Sequence, residues 1–412
     1  MFNIEGVEVV VRIDPEHLNN IAERARALME KEQIDAIVAS TCENFYYLSG
    51  HPSTFMYTLR MNEVALAVMF RNPNHKTILI VNDFEAAGVA KDLPCEIRTY
   101  PTWVDIDDPY GMTSESFQGK RPVSPQADEM FGLLQQVLDE HGVSDGKIAV
   151  ELGAMRYSSA LALQNAVRSA QLMEASRMFI ELRAIKTTWE IEQLRKACAY
   201  AESGMTEAVH RIRVGSSASE IVNDFRMALM KYEDGSNARF HMISVGADFA
   251  PAHRFDTRPS EPGDIIKFDV GVDVAGYGSD IARTFVLGSP SDHVKRVYDA
   301  LRVGHDRLLQ WIEPGRPMSS AFHEVMALIR ESGLPNYNRG HLGHSAGLSL
   351  AAEEAPFIGP SEEAIFRPGM VICLETPYYG HGVGSIMIED MVLVTDNGCE
   401  RLNKLSRDLI VL

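Results

Sequence analysis

The sequence predicts two domains in series: an α/β domain, then an α+β domain in which a helix-then-hairpin programme runs twice. Three observations carry this. The chain has 412 residues, more than one hydrophobic core usually organises. Its first third alternates helical and extended patterns. In its second half, helical stretches are followed by apolar runs that fold back on themselves, and this order occurs twice.

Leu18 to Lys31 reads as an amphipathic helix and Ala36 to Ala39 as a strand, with further strands at Val64 to Phe70 and Thr77 to Val81. A polar segment from Thr102 to Glu129, rich in Asp, Pro, Gly and Ser, precedes a helical Met130 to His141 and a strand at Lys147 to Val150. Loops of that length often serve binding or assembly. The boundary falls near Arg183 to Thr188, giving expected domains 1–183 and 184–412. There Thr187 stands three residues before Glu190, the capping-box spacing that opens a helix. Ile191, Leu194, Cys198, Ala201, Met205, Ala208 and Ile212 then recur at steps of three and four, one apolar stripe on a helix expected to end near Gly215. Such a stripe is packing surface, not a cofactor box.

The first pass of the repeated programme has Ser216, Ser217 and Ala218 at a turn, a helix to Met230, and a hairpin from Ile265 to Val286. The second has Pro314 and Gly315, Ser319 to Ala321, a helix to Ile329, and extended segments Met370 to Tyr378 and Ser385 to Val394. Sequence identity between the passes is slight, so the duplication rests on the order of elements.

With 57 acidic against 39 basic residues the formal charge is −18, which repels nucleic acid and anionic membranes at long range. Neither is an expected partner. No stretch is apolar for long enough to span a bilayer. Met1 to Pro15 lacks a basic leader and an apolar core, so no secretory signal is expected. The five cysteines are scattered without a CxxC pair, which argues against a disulfide framework and a cysteine zinc site. A reducing cytoplasm is the expected compartment.

The two hairpins carry acids in apolar surroundings: Asp269 and Asp280 on the first, Glu375 and Glu389 on the second. A single Asp on a hairpin is more often a turn or surface acid; the weight lies in the set. Gathering ionised carboxylates inside a protein costs several kcal/mol per ion unless cations compensate them. Four carboxylates match the charge of about two divalent ions. Between the pairs lies Gly340-His341-Leu342-Gly343-His344-Ser345-Ala346-Gly347, where an imidazole would complete a mixed nitrogen and oxygen site.

The order Asp269, Asp280 eleven residues on, His344, Glu375 and Glu389 fourteen residues on resembles the ligand pattern of the pita-bread metallopeptidases of family M24, which include aminopeptidase P, prolidase and creatinase. Asn44-Phe45-Tyr46-Tyr47-Leu48-Ser49-Gly50 resembles a stretch of their N-terminal domains, and Arg183-Ala184-Ile185-Lys186 precedes the catalytic domain as in those enzymes. The resemblance implies an α/β N-terminal domain with a mixed sheet and an α+β pita-bread catalytic domain of pseudo-two-fold symmetry. It implies that Asp269, Asp280, His344, Glu375 and Glu389 are metal ligands, with Asp280 and Glu389 bridging two divalent ions. Manganese is the first expectation, with cobalt, zinc and iron also compatible with such donors. In such a centre the ions activate water and polarise the scissile carbonyl.

His253, on composition an ordinary loop histidine, matches by position a histidine that in relatives stabilises the reacting carbonyl or shuttles a proton. Glu375 is expected to take part in catalysis, and His341 in substrate binding, in the support of a ligand or in structure alone. Two departures concern substrate contacts: Ala351 stands where proline-specific relatives carry a histidine, and Met387 where they carry an arginine. The expected function is hydrolysis of a small peptide or amide C–N bond, with Xaa-Pro dipeptidase or aminopeptidase activity first. A creatinase- or ectoine-hydrolase-like activity on a small metabolite and a silent binding scaffold are the alternatives. The family's homodimers make His51 to Met61 and Thr102 to Glu129 the expected segments that reach a partner subunit.

Overall fold

The computed structural model describes residues 13–91, 93–104, 120–232, 234, 236–246, 257–348, 353–380 and 383–412. Among these, the chain forms two compact units, Ile13–Leu182 and Arg183–Leu412. No helix of the described residues is long and apolar enough to cross a membrane.

The first unit contains, in order, α1 (Pro15–Glu32), β1 (Ala36–Ala39), α2 (Cys42–Ser49), α3 (Thr54–Tyr57), β2 (Leu66–Phe70), β3 (Thr77–Asn82), α4 (Asp83–Ala86), β4 (Cys95–Tyr100), α5 (Ala127–Glu140), β5 (Lys147–Val150), α6 (Tyr157–Ala166) and β6 (Gln171–Glu174), with α7 (Ser176–Ala184) at its end. Asp14 starts α1 by accepting the Glu16 amide at 2.9 Å, which satisfies one of the orphan donors of the first turn. The sheet runs β4-β3-β2-β1-β5-β6. It is mixed: β1 with β2 and β2 with β3 are antiparallel, the rest parallel. β1, β2 and β3 are buried at every position, so they read as continuous apolar runs rather than alternations. Met130, Phe131, Leu134, Val137 and Leu138 of α5 close one core over them.

Elements that the sequence did not announce have weak signals for physical reasons. α2 is buried along nearly its whole length, so it has no amphipathic period. β4 lies at the sheet edge and is half-exposed. Of the polar segment Thr102 to Glu129, residues 105–119 lie outside the described residues. One carboxylate holds two described residues of that segment: Asp83 accepts from the Thr102 amide at 2.9 Å and pairs with Arg121 at 2.7 Å.

The second unit has α8 (Thr188–Arg211), α9 (Ala218–Leu229), β7 (Asn237–His241), β8 (Ser244–Val245), β9 (Ile265–Val274), β10 (Tyr277–Gly278), β11 (Ile281–Val286), α10 (Asp292–Trp311), α11 (Met318–Glu331), β12 (Gly343–Ser345), β13 (Glu354–Phe357), β14 (Val371–Glu375), β15 (Tyr378–Gly380), β16 (Gly384–Ile386), β17 (Glu389–Thr395), β18 (Gly398–Arg401) and β19 (Ile410–Val411). A helix pair precedes a run of strands twice, which is the pseudo-two-fold plan. Capping boxes open α8, through Thr187 and Glu190, and α9, through Ser217 and Glu220. α8 ends at Arg211, one turn before the expected Gly215.

The two halves also share a packing device. A Cβ at Gly204 of α8 would lie 2.9 Å from the Phe225 ring of α9, and one at Gly304 of α10 would collide with Ile329 of α11. In each half a glycine lets two helices approach closely. Among the described residues eleven strands form one curled sheet, whose main path is β10-β9-β11-β17-β14-β12-β13. Val297, Leu301 and Leu308 of α10, Val325 and Ile329 of α11, and Ile372, Leu374 and Val392 of the sheet share a core.

Candidate metal centre

The register of this sheet brings the predicted residues together. Asp269 on β9 stands opposite Ala282 on β11, Ala282 opposite Glu389 on β17, and Glu389 opposite Glu375 on β14. Directly opposed residues point to the same side of a sheet, as do residues two apart on one strand. Asp280 lies two before Ala282, and Cys373, two before Glu375, stands opposite His344 on β12. All five candidates therefore project from one face, across five adjacent strands, with the small Ala282 at mid-row. All five are buried.

His344 Nε2 lies 3.7 Å from Asp280 Oδ2 and 3.7 Å from Glu389 Oε1. Its Nδ1 is 3.0 Å from the Ser345 carbonyl oxygen, which can only accept, so Nδ1 carries the proton. Burial lowers the pKa of His344. The neutral ring therefore turns the Nε2 lone pair toward two carboxylates. Asp280 Oδ1 and both Glu389 oxygens have no hydrogen-bond partner among the described residues. Burial first, then the neighbouring acids, pushes the pKa values of Asp280 and Glu389 well above the carboxylate range. Electron pairs converging on one buried point, without donors, are what a divalent cation satisfies. The donor set fits a metal. Cys373 Sγ shares the cluster, its ligand-bearing atoms lying within 4.8 Å of one another, but burial keeps its thiol protonated by raising its pKa well above the usual value.

The ends of the row differ from its middle. At one end Glu375 Oε1 meets Arg339 at 3.1 Å and His341 Nδ1 at 3.1 Å, while His341 Nε2 lies 3.4 Å from Glu353. The Glu353 contact raises the pKa of His341, against the effect of burial. Burial raises that of Glu375, although Arg339 and His341 oppose it. At the other end the Lys267 ammonium, fully buried, sits 2.9 Å from Asp269 Oδ2. Sequence reasoning passed over Lys267, Arg339, Glu353 and Cys373. Lys267 did carry a signal: it is the one charged residue in the run Ile265 to Phe268 just ahead of Asp269.

Behind this face, Asp390 points to the opposite side and forms a buried network. Its Oδ1 meets Arg283 at 2.5 Å and Asn403 at 2.6 Å. Burial works against its charge, but Arg283, His305 and Arg401 overcome it and hold its pKa at about 2. Arg283 also donates to the Glu389 carbonyl at 2.7 Å, which anchors the strand that carries Glu389. Met387, the expected departure, is buried and exchanges both its backbone bonds with the Thr284 hydroxyl, at 2.8 and 2.9 Å. His253 and Ala351 lie outside the described residues.

Residues 192–396 match the family model of metallopeptidase family M24, and residues 22–185 that of the creatinase/prolidase N-terminal domain. An Xaa-Pro dipeptidase of Pyrococcus furiosus is 30% identical over 260 residues, spanning 63% of this chain and 74% of that one. This chain belongs to metallopeptidase family M24. A second M24 relative, an Xaa-Pro dipeptidase of Pyrococcus horikoshii, is 25% identical over 397 residues, 95% of this chain and 99% of that one. The solved prolidase of Thermococcus sibiricus superposes with a TM-score of 0.79 at 23% identity, covering 97% of this chain and 100% of that one. At that identity the likeness shows the pita-bread fold alone. M24 enzymes are hydrolases that use divalent metal ions.

Proposed function

We propose that this chain is a metal-dependent dipeptidase, with Xaa-Pro dipeptides as its first candidate substrates and its chemistry in the domain 184–412. The observation that carries the reading is the buried meeting of Asp280, Glu389 and His344 Nε2, in which Asp280 Oδ1 and both Glu389 oxygens have no hydrogen-bond partner among the described residues. Xaa-Pro dipeptidase is also what the two relatives of highest coverage and identity above are named. Asp269, Asp280, His344, Glu375 and Glu389 would hold two divalent ions, with Asp280 and Glu389 between them and manganese the first choice for a set of hard oxygens and one imidazole. Bound there, such ions supply Lewis acidity toward an amide carbonyl and toward water.

The chain's own residues do the rest. Glu375, buried at the end of the row beside Arg339 and His341, would hold and return a proton at its carboxylate. Arg339 sets positive charge beside Glu375, and His341 meets the same carboxylate, where the two can receive the carboxylate of a short peptide. His253 is assigned, by position in the sequence alone, to the reacting carbonyl. Ser345 keeps the His344 tautomer that leaves Nε2 unprotonated.

One observation favours a second reading, a non-peptidase C–N hydrolase: Met387, buried and neutral, stands where proline-specific relatives carry arginine. A silent scaffold would have no reason to keep three unsatisfied carboxylate oxygens in its interior. All five cysteines are unpaired, which supports a reducing, cytoplasmic setting. A homodimer joined through His51 to Met61 and Thr102 to Glu129 remains part of the proposal, to be tested by the mass of the particle in solution.

The deciding experiment is elemental analysis of gently purified protein, with hydrolysis of Xaa-Pro dipeptides and of small cyclic amides assayed before and after chelation and manganese return. Chelator-sensitive cleavage of dipeptides is expected. Turnover of the amides alone would establish the second reading, and protein that neither binds metal nor cleaves anything would establish the scaffold.

A further inference from the structure

Charge along the acidic row is not evenly compensated by the protein. Four carboxylates share the face: Asp269, Asp280, Glu389 and Glu375. Lys267, two residues before Asp269 on β9 and so on the same side, places its ammonium 2.9 Å from Asp269 Oδ2. That ammonium is fully buried and also lies 5.6 Å over the Tyr379 ring, a position that favours a cation. At the far end Arg339 reaches Glu375 at 3.1 Å. In the middle, Asp280 Oδ1 and both Glu389 oxygens receive nothing from the described residues. Two tethered cations against four carboxylates leave about two negative charges, those of the central pair, and that is the charge of one divalent ion rather than two.

We propose that Lys267 is a built-in cation of the metal centre. It occupies Asp269, so that one divalent ion binds tightly at Asp280, His344 and Glu389 while a second is admitted only by loosening the Lys267–Asp269 pair. The proposal rests on the metal reading above and deepens it. The physics is competition for one carboxylate. An ammonium already bonded to Asp269 in a water-poor site repels a second ion brought to the same oxygens, and cannot be released without leaving a buried charge unpaired. Lys267 thus makes the two metal positions unequal and sets the divalent-ion concentration at which the second fills. Thr284 stands opposite Lys267 in the register and binds the Met387 backbone, so the lysine sits in the same transverse row as Met387, the position where a neutral residue replaces the expected arginine.

The test is a titration of metal-free protein with Mn²⁺ alone, read by calorimetry, together with elemental analysis after desalting. Wild type is expected to keep one ion through desalting and to take a second about tenfold or more weaker. Lys267→Met should tighten the second ion by about tenfold, so that two ions survive desalting, whereas Lys267→Arg should behave as wild type. Two equal sites in wild type would overturn the proposal, and that measurement needs no variant to fold. So would an unchanged or weakened second ion in folded Lys267→Met. If that variant changes nothing while Asp280→Asn loses the tight ion, the lysine idea falls and the metal centre stands. If no protein binds Mn²⁺, both fall.

Discussion

Glu375 and Glu389 stand directly opposite one another on neighbouring antiparallel strands, both almost wholly buried. Like charges in that relation destabilise a sheet, and the chain keeps them in a core it could have filled with apolar residues. The arrangement stabilises the fold only when something positive lies between the strands.

The metal-free protein should therefore lose stability as pH rises. Asp280, Glu375 and Glu389 have folded-state pKa values above their ordinary ones, through burial and mutual repulsion. The folded state then holds more protons than the unfolded one, starting near the ordinary carboxylate range of about pH 4. Stability falls from there upward through the raised values. Buried His17 and His305, held at about 4, add stability as pH rises to the ordinary histidine range, so the melting of chelated protein should move to lower temperature as pH rises beyond that range, and Mn²⁺ should reverse this. A melting temperature that rises above the ordinary histidine range without metal would contradict the assignment.

Glu389→Gln should uncouple stability from metal. It removes one of the opposed charges at nearly constant shape, so the chelated variant should melt above chelated wild type, by the equivalent of about 1–3 kcal/mol. It should also lose the stabilisation by Mn²⁺. Asp280→Ala and Glu389→Ala should each abolish binding at one or both positions, and two ions per chain retained by either variant would remove the bridging role.

Asp390→Asn tests the back of the sheet. The substitution leaves the buried Arg283 guanidinium without its carboxylate, at a cost of about 3–5 kcal/mol. Because Asp390 is held at about 2, its contribution is complete above about pH 4 and is lost as pH falls through the folded value. Urea unfolding at neutral pH reads the first effect, and acid unfolding of wild type the second.

Two helical glycines should respond in opposite directions. Gly304→Ala drives a methyl group into Ile329 where α10 meets α11, and overpacking of this kind costs about 1–3 kcal/mol. A Cβ at Gly132 of α5 meets nothing within 4 Å, so Gly132→Ala should stabilise by about 0.5–1 kcal/mol through helix propensity alone. Denaturation midpoints of the two variants should move apart.

The strands and helices with strong periods, the opening of α8 at its capping box and the acids of the candidate metal centre were legible in the sequence. These are local properties: an apolar stripe at steps of three and four, or a carboxylate inside an apolar run, is visible without knowing its neighbours. Which cations face those acids follows from the fold. Lys267 reads as a stray charge in a strand, and Arg339 and Glu353 as loop residues, until register and loop path bring them to Asp269, Glu375 and His341. The same holds for Asp390, which adjoins Glu389 in sequence yet faces the other way, because successive residues of a strand point to opposite sides of the sheet. Charge compensation acts through space between residues far apart in the chain, so sequence spacing announced the acids while the fold chose their partners.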